Sequence, residues 1–304
     1  MTQSSADSAR ARRAASLRRS YLFLPGADAT ALAAGPASGA DVLIQELEDF
    51  TPLQRLPEAH ALALPTIEAW RRAGVVTAVR VNPLDKGGAE DLAAVMRARP
   101  DIVALPKVAM PGHIAALDDA IGRLEREYGI APGTTEIMPN IESAHGLIHT
   151  YAIAKASPRV SACLLASEDM TADLGAERSR EGVELAYARQ RFLVECVAAG
   201  VFAIDAPYTF SDPEGVEAEI RFARRLGYRA KSCVAPAHAA IINRVLTPSA
   251  DEVSKARRIV AAFEAARARG EDRAEVDGNL VEVPSYLNAK RLLARADALG
   301  TREP

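Results

Sequence analysis

Ala162-Cys-Leu-Leu-Ala166 closes on Ser167-Glu168-Asp169, and Val201-Phe-Ala-Ile204 closes on Asp205. Between them Glu184 to Ala199 carries Leu185, Ala188, Phe192, Leu193 and Cys196 at offsets 0, 3, 7, 8 and 11, which is one face of a helix. Gly200 then ends that helix one residue before the second apolar run. The two runs are apolar on successive residues rather than on alternate ones, as in strands covered on both faces. A strand, a helix and a second strand in this order make a parallel crossover unit.

The same unit recurs outward in both directions. Strand-length apolar runs lie at Tyr21–Leu24, Val42–Gln45, Val75–Val81, Ile102–Leu105, Glu136–Ile141, Ala162–Ala166, Val201–Ile204 and Tyr228–Cys233, with helical patterns between most of them. Eight strand–helix units fit a (β/α)₈ TIM barrel of about 250 residues. The competing fold, an open doubly wound sheet, would want a glycine-rich phosphate turn after an early strand. Neither G-x-G-x-x-G nor G-x-x-x-x-G-K-[ST] occurs in the sequence. The expected organisation is a flexible tail over residues 1–19, a barrel over 20–248, and a helical extension over 249–304 belonging to the same domain. That extension reads as a helix Ser249–Arg269, a tight turn at Val276-Asp-Gly-Asn-Leu280 and a last helix Pro284–Leu299. It exceeds what a barrel needs, so it is expected to pack on a neighbour or to cover the barrel mouth.

Composition narrows the partners. A formal charge of −3 gives no reason to expect nucleic acid or an anionic membrane. No apolar run reaches the roughly 20 residues that span a bilayer. The three cysteines, Cys163, Cys196 and Cys233, are odd in number and sit in apolar stretches, which suits buried reduced thiols and a cytoplasmic protein.

In a parallel barrel, chemistry gathers at the carboxyl ends of the strands. Those ends read Glu46-Leu-Glu48-Asp49, Arg80-Val-Asn82, Pro106-Lys107, Asn140-Ile-Glu142, Ser167-Glu168-Asp169, Asp205 and Lys231. One such acid is usually a helix cap. Charges converging from seven strand ends need another reason, because unpaired buried charge is costly. An acid-rich set with open positions suits Mg²⁺, which takes one or two protein carboxylates and keeps water or substrate elsewhere. Arg80 and Lys107 supply positive charge for a carboxylate-bearing oxo or hydroxy acid, the arginine by its fork; Lys107 could equally serve only to neutralise the acids. Asp205 and Lys231 read as a structural ion pair, and Tyr208 and Phe210 as packing residues. His145 and His149 stand four apart as zinc ligands can, but the rest of a zinc-protease motif is absent.

Seven short motifs, in order, resemble the citrate lyase β-subunit-like proteins of the HpcH/HpaI aldolase superfamily, which includes citryl-CoA, malyl-CoA and citramalyl-CoA lyases. They are Arg19-Ser-Tyr-Leu-Phe-Leu-Pro-Gly26, Leu47-Glu48-Asp49, Arg80-Val-Asn-Pro83, Leu105-Pro-Lys107, Ile141-Glu-Ser-Ala-His-Gly146, Ser167-Glu-Asp169 through Asp173-Leu-Gly175, and Val276-Asp-Gly278 with Pro284. The resemblance implies a barrel assembling as a homotrimer or hexamer. It also implies Mg²⁺ held by Glu142 and Asp169, a substrate carboxylate bound by Arg80, and Glu48 and Asp49 positioning water or metal-bound groups. The family's C-terminal aspartate, which reaches a neighbouring subunit's site, is represented by Glu282. The sequence departs from the family pattern at Glu46, Ala34, Leu56, His60 and Ala235-Pro-Ala-His238. The metal and carboxylate half of the pattern is present, whereas the acyl or CoA half differs.

The resemblance implies a Mg²⁺-dependent carbon–carbon lyase that splits a 3-hydroxyacyl-CoA thioester into a 2-oxo acid and an acyl-CoA, or joins them. Glu282 or an acid of the second strand would exchange the proton. The alternatives are a lyase on free oxo acids without CoA, and a homologue that binds metal and oxo acid without turnover.

Overall fold

A computed structural model of the chain describes residues 12–301. Eight parallel strands, β1 (Ser20–Pro25), β2 (Val42–Glu46), β3 (Val76–Arg80), β4 (Ile102–Leu105), β5 (Glu136–Ile141), β6 (Ala162–Leu165), β7 (Phe202–Asp205) and β8 (Ala230–Cys233), pair in chain order. β8 returns to β1 and closes the barrel. Each of the eight runs picked out in the sequence is a strand, displaced by no more than two residues at its ends. The helices are α1 (Ala29–Ala34), α2 (Leu56–Arg72), α3 (Gly88–Met96), α4 (Pro111–Glu127), α5 (Ala144–Ile148), α6 (Thr150–Ala154), α7 (Glu168–Asp173), α8 (Ala186–Ala199), α9 (Pro213–Leu226), α10 (Pro236–Leu246), α11 (Ala250–Ala268) and α12 (Val283–Leu299). No helix among the described residues is long and apolar enough to cross a membrane.

Strand alternation divides the core in two. Val42 and Ile44, Val76 and Ala78, and Met138 point into the barrel, where they pack with Tyr21 and Phe23. Their neighbours Val79, Val103, Ile137 and Leu165 point outward onto the helices, against Leu92, Leu117 and Phe192. Continuing the inward parity places Glu46, Arg80, Asn140 and Glu142 at the top of the barrel interior. The end of β1 is drawn close to the end of β2 because Gly26 has no side chain: a Cβ there would lie 2.4 Å from the Glu46 carbonyl oxygen.

The tail expected over residues 1–19 is described only from Arg12 onward. Residues 1–11 lie outside the described residues, but Arg12 to Arg19 are docked. Arg18 is buried and grips Glu136 through two hydrogen bonds of 2.7 and 2.8 Å. Arg19 binds Asp41 at 2.8 Å, and Arg12 reaches Glu136 at 3.2 Å. Burial alone would raise the Glu136 carboxyl; Arg18 outweighs it and holds the group below the usual carboxylate range. Arg12, Arg18 and Arg19 are thus the partners of acids at the foot of the barrel.

Among the described residues, those up to Asn243 form one compact unit and those from Arg244 onward a second, with the break inside α10. In the second unit Ser249 and Glu252 form a reciprocal capping box on α11. β9 (Ala274–Val276) and β10 (Asn279–Val281) make an antiparallel hairpin whose turn, Asp277-Gly278, has φ of 56° and 73°. Both turn residues lie in the left-handed region that a tight two-residue hairpin turn demands.

Asp205 and Lys231 form the expected ion pair, at 2.7 Å, and they point outward. Arg189 of α8 binds both Asp205 oxygens at 2.9 and 2.7 Å, and Glu219 of α9 meets Lys231 at 2.8 Å. Two cations thus balance two acids in a buried layer between the strands and their helices. Burial would raise the Asp205 carboxyl, but Lys231 and Arg189 hold it low. Replacing one member strands its partners, so Lys231→Met should cost on the order of 3–5 kcal/mol in urea unfolding. Adding Asp205→Asn to it should recover part of that loss; no recovery would separate the two residues energetically.

Candidate active site

Arg80 is the hub of the barrel mouth. Register sets it beside Glu46, and its Nε donates to Glu46 Oε1 at 2.8 Å. Its Nη2 lies 3.2 Å from both Glu48 and Asp49, and its Nη1 lies 3.7 Å from Glu142. The guanidinium also sits over the Phe23 ring at 5.3 Å. Burial disfavours its charge, yet Glu46, Glu48 and Glu142 raise its pKa further. Arg80, expected as a substrate-carboxylate ligand, is thus already surrounded by the protein's own carboxylates.

The loop after β2 is shaped by Glu46, which is fully buried and accepts from the backbone N–H groups of Glu48 and Phe50. Asn82 ties the same loop from β3 by donating to the Leu47 carbonyl at 2.9 Å. Asp91 of α3 fixes Asn82 in turn, accepting from its side chain at 2.8 Å and being met by His60 at 2.6 Å. Lys107 pairs with Glu48 and stands 3.7 Å from Asp49. Its backbone φ is 54°, a strained conformation for a side chain of this size at a strand end. Burial raises the Glu48 carboxyl, with Arg80 and Lys107 acting against it.

Glu142 differs from the other acids. It is 3% exposed, and neither carboxylate oxygen accepts a hydrogen bond. Beside it in the barrel, Asn140 is fully buried with both side-chain polar atoms unpaired. Asp169, half-buried in the first turn of α7, is near enough to disfavour the Glu142 charge. Burial first, then Asp169 and Glu48, push the Glu142 carboxyl up to about 8 against the pull of Arg80. Ser143 caps α5 beside it, and Asp173 of α7 accepts from the Ala144 N–H at 2.7 Å, joining the loops after β5 and β6. The lack of a side chain at Gly146 lets α5 approach the Val108 carbonyl, 2.5 Å from where its Cβ would be.

The barrel therefore brings together Glu48, Asp49, Arg80, Lys107, Glu142 and Asp169. Glu282 is exposed and lies in the second unit, at the N-cap of α12. With Glu46 included, five carboxylates (Glu46, Glu48, Asp49, Glu142, Asp169) face two cations. Buried carboxylate oxygens without hydrogen bonds in an acid-rich barrel mouth match the hard-oxygen preference of Mg²⁺. Among the described residues no cluster of three or more His, Cys, Asp or Glu is arranged to hold an ion by itself; one or two carboxylates suffice where water and substrate complete the shell. His145 and His149 meet only ring to ring, at 4.7 Å. Tyr208 is buried and donates to Asp212, consistent with a packing residue. Sequence reasoning noted Glu46 and Asn140 at strand ends but gave them no role; inward parity is the signal that would have marked them.

The raised Glu142 pKa makes a stability prediction. A carboxyl whose folded pKa stands above its ordinary 4.5 adds stability that is complete below that value and lost as pH rises through about 8. In metal-free protein at pH 9, Glu142→Gln should raise the melting temperature by on the order of 3 °C. The gain should vanish near pH 4.5; an equal shift at both pH values would remove buried charge as its cause.

The geometry can be set beside known proteins. Residues 19–236 match the model of the HpcH/HpaI aldolase/citrate lyase family. The citrate lyase subunit beta of Escherichia coli (strain K12) is 35% identical over 288 residues, covering 94% of this chain and 95% of that protein. The L-malyl-CoA/beta-methylmalyl-CoA lyase of Cereibacter sphaeroides is 31% identical, covering 92% and 95%. Among solved structures, protein CitE from Mycobacterium tuberculosis, in complex with magnesium, acetoacetate and coenzyme A, superposes with a TM-score of 0.74 at 26% identity, covering 92% of this chain and 98% of that one. With the motifs, the closed barrel and the charged rim in agreement, the chain belongs to the HpcH/HpaI aldolase/citrate lyase family of carbon–carbon lyases.

Proposed function

We propose that this enzyme cleaves, or forms, a 3-hydroxyacyl-CoA thioester of the malyl, citramalyl or citryl type, with a 2-oxo acid and an acyl-CoA as the other side of the reaction. The observation that carries the reading is Glu142, buried with neither oxygen hydrogen-bonded beside Asp169 on the active rim. Glu142 and Asp169 are the residues that would hold Mg²⁺, which supplies Lewis-acid stabilisation of charge on a neighbouring substrate oxygen. Arg80 lies beside Glu142 with its guanidinium fixed by Glu46, a pre-oriented fork for the substrate carboxylate. The incoming carboxylate would take the place of Glu48 and Asp49 on Nη2, with Lys107 keeping those acids neutralised.

In the cleavage direction a base takes the β-hydroxyl proton, the carbon–carbon bond breaks, and the acyl thioester leaves as an enolate that must regain a proton. Glu48, whose burial favours the protonated form, and Glu282 are the groups of this chain for that exchange. The three buried thiols suit a reducing, cytoplasmic setting, and the family implies a homotrimer or hexamer.

Malyl-CoA, citramalyl-CoA and citryl-CoA should be tested for thioester-linked cleavage with and without Mg²⁺. Turnover of at least one, lost on chelation, is the expected result. Tight oxo-acid binding with no turnover of any thioester or free acid would make the chain a binding homologue; turnover of free acids alone would remove CoA. Glu142→Gln should abolish Mg²⁺-dependent oxo-acid binding. Arg80→Lys, which keeps the charge and loses the fork, should lower kcat/KM by roughly 100-fold; unchanged kcat/KM would take Arg80 out of the reaction.

A further inference from the structure

We propose that His60 is a positioning residue for the acid loop of the barrel mouth, acting from α2 through Asp91 and Asn82 upon Leu47 and, with it, Glu48 and Asp49. Its effect on turnover rests on the proposed reaction; its effect on the loop rests on geometry alone.

The loop after β2 is held from two sides. From within the barrel, Glu46 accepts from the N–H groups of Glu48 and Phe50. From β3, Asn82 Nδ2 donates to the Leu47 carbonyl at 2.9 Å. The same amide nitrogen donates to Asp91 Oδ2 at 2.8 Å, and the Asn82 backbone N–H meets that oxygen at 2.9 Å. The other Asp91 oxygen lies 2.6 Å from His60 Nε2. A continuous path of hydrogen bonds thus leads from the face of α2 to the residue before Glu48.

The path depends on Asp91 being a carboxylate. Asn82 turns its NH₂ end to two acceptors, Leu47 and Asp91, and only that end can serve both. A group at position 91 that also donates would let Asn82 present its carbonyl oxygen instead. That oxygen would then face the Leu47 carbonyl, and the loop would lose its hold. A carboxylate as deeply buried as Asp91, which is 1% exposed, needs donors or a cation to remain ionised. Asn82 serves one of its oxygens and His60 the other. His60 is the one basic side chain in ion-pair contact with Asp91 among the described residues.

A clasp between α2 and α3 would need only the contact of His60 with Asp91. The second Asp91 oxygen goes instead to the end of β3, two residues beyond Arg80. Asn82 is thereby coupled both to the strand of Arg80 and to the loop of Glu48 and Asp49. In the proposed reaction Glu48 exchanges the proton, whereas Mg²⁺ and the oxo acid are held through Glu142, Asp169 and Arg80. Displacing the loop therefore slows turnover more than it weakens binding.

The test compares His60→Leu with His60→Gln, which keeps an N–H donor at similar reach, in the full-length protein. Hydrogen exchange read by mass spectrometry, without metal or substrate, should be faster in His60→Leu by about fivefold or more at residues 47–51, with α2 and α3 as in the wild type. With the thioester or free acid that the wild type cleaves, His60→Leu should lower kcat about tenfold and change KM by no more than about twofold. His60→Gln should bring kcat back to within about threefold of the wild type. In a Glu48→Gln background, His60→Leu should cost less than about twofold, because its effect passes through the loop that carries Glu48. Asp91→Asn should repeat the faster loop exchange, and it serves if His60→Leu does not fold. Exchange unchanged at the loop, or raised equally across α2 and α3, overturns the proposal, as does turnover indifferent to His60→Leu. A wild type that cleaves neither thioester nor free acid removes the reaction instead, and loop exchange then decides the role of His60 alone.

Discussion

The guanidinium of Arg80 is the interaction on which the upper half of the barrel depends. It is the one buried cation among Glu46, Glu48, Asp49 and Glu142, and each of these acids would repel the others without it. Glu46 acts in two directions: its Oε1 accepts from Arg80 Nε, and its two oxygens accept from the backbone N–H groups of Glu48 and Phe50, which folds the loop after β2. The positions of Glu48 and Asp49 thus follow from the same contact that orients the arginine. What Arg80 does not satisfy is Glu142, whose oxygens stand without hydrogen bonds. The site is built with an unmet electrostatic demand, as is usual where stability is traded for binding.

The fold was legible in the sequence because both of its periodicities are strong. Strands apolar on every residue and helices with one apolar stripe leave a parallel barrel as the arrangement that buries both. The rim was legible for a related reason: charges at the ends of otherwise apolar strands stand out, and Glu48, Asp49, Arg80, Lys107, Glu142 and Asp169 were all marked that way. The short motifs then supplied roles that spacing alone does not.

Other features could not be read from one chain. Arg12, Arg13, Arg18 and Arg19 look like a solvated basic segment until their partners, Asp41, Asp101 and Glu136, are brought to the same end of the barrel by folding. Glu46 and Asn140 look like strand-end polar residues until inward parity is known.

The charge network of Arg189, Asp205, Glu219 and Lys231, together with the Arg18–Glu136 clamp, places cohesive charge away from the mouth. One lies behind β7 and β8, the other at the foot of the barrel. Mutational robustness and chemical novelty are thereby assigned to different parts of one scaffold. Loops at the upper rim can change their residues while the frame that keeps the strands in register goes unchallenged. Such a barrel can drift in what it recognises long before it drifts in how it folds.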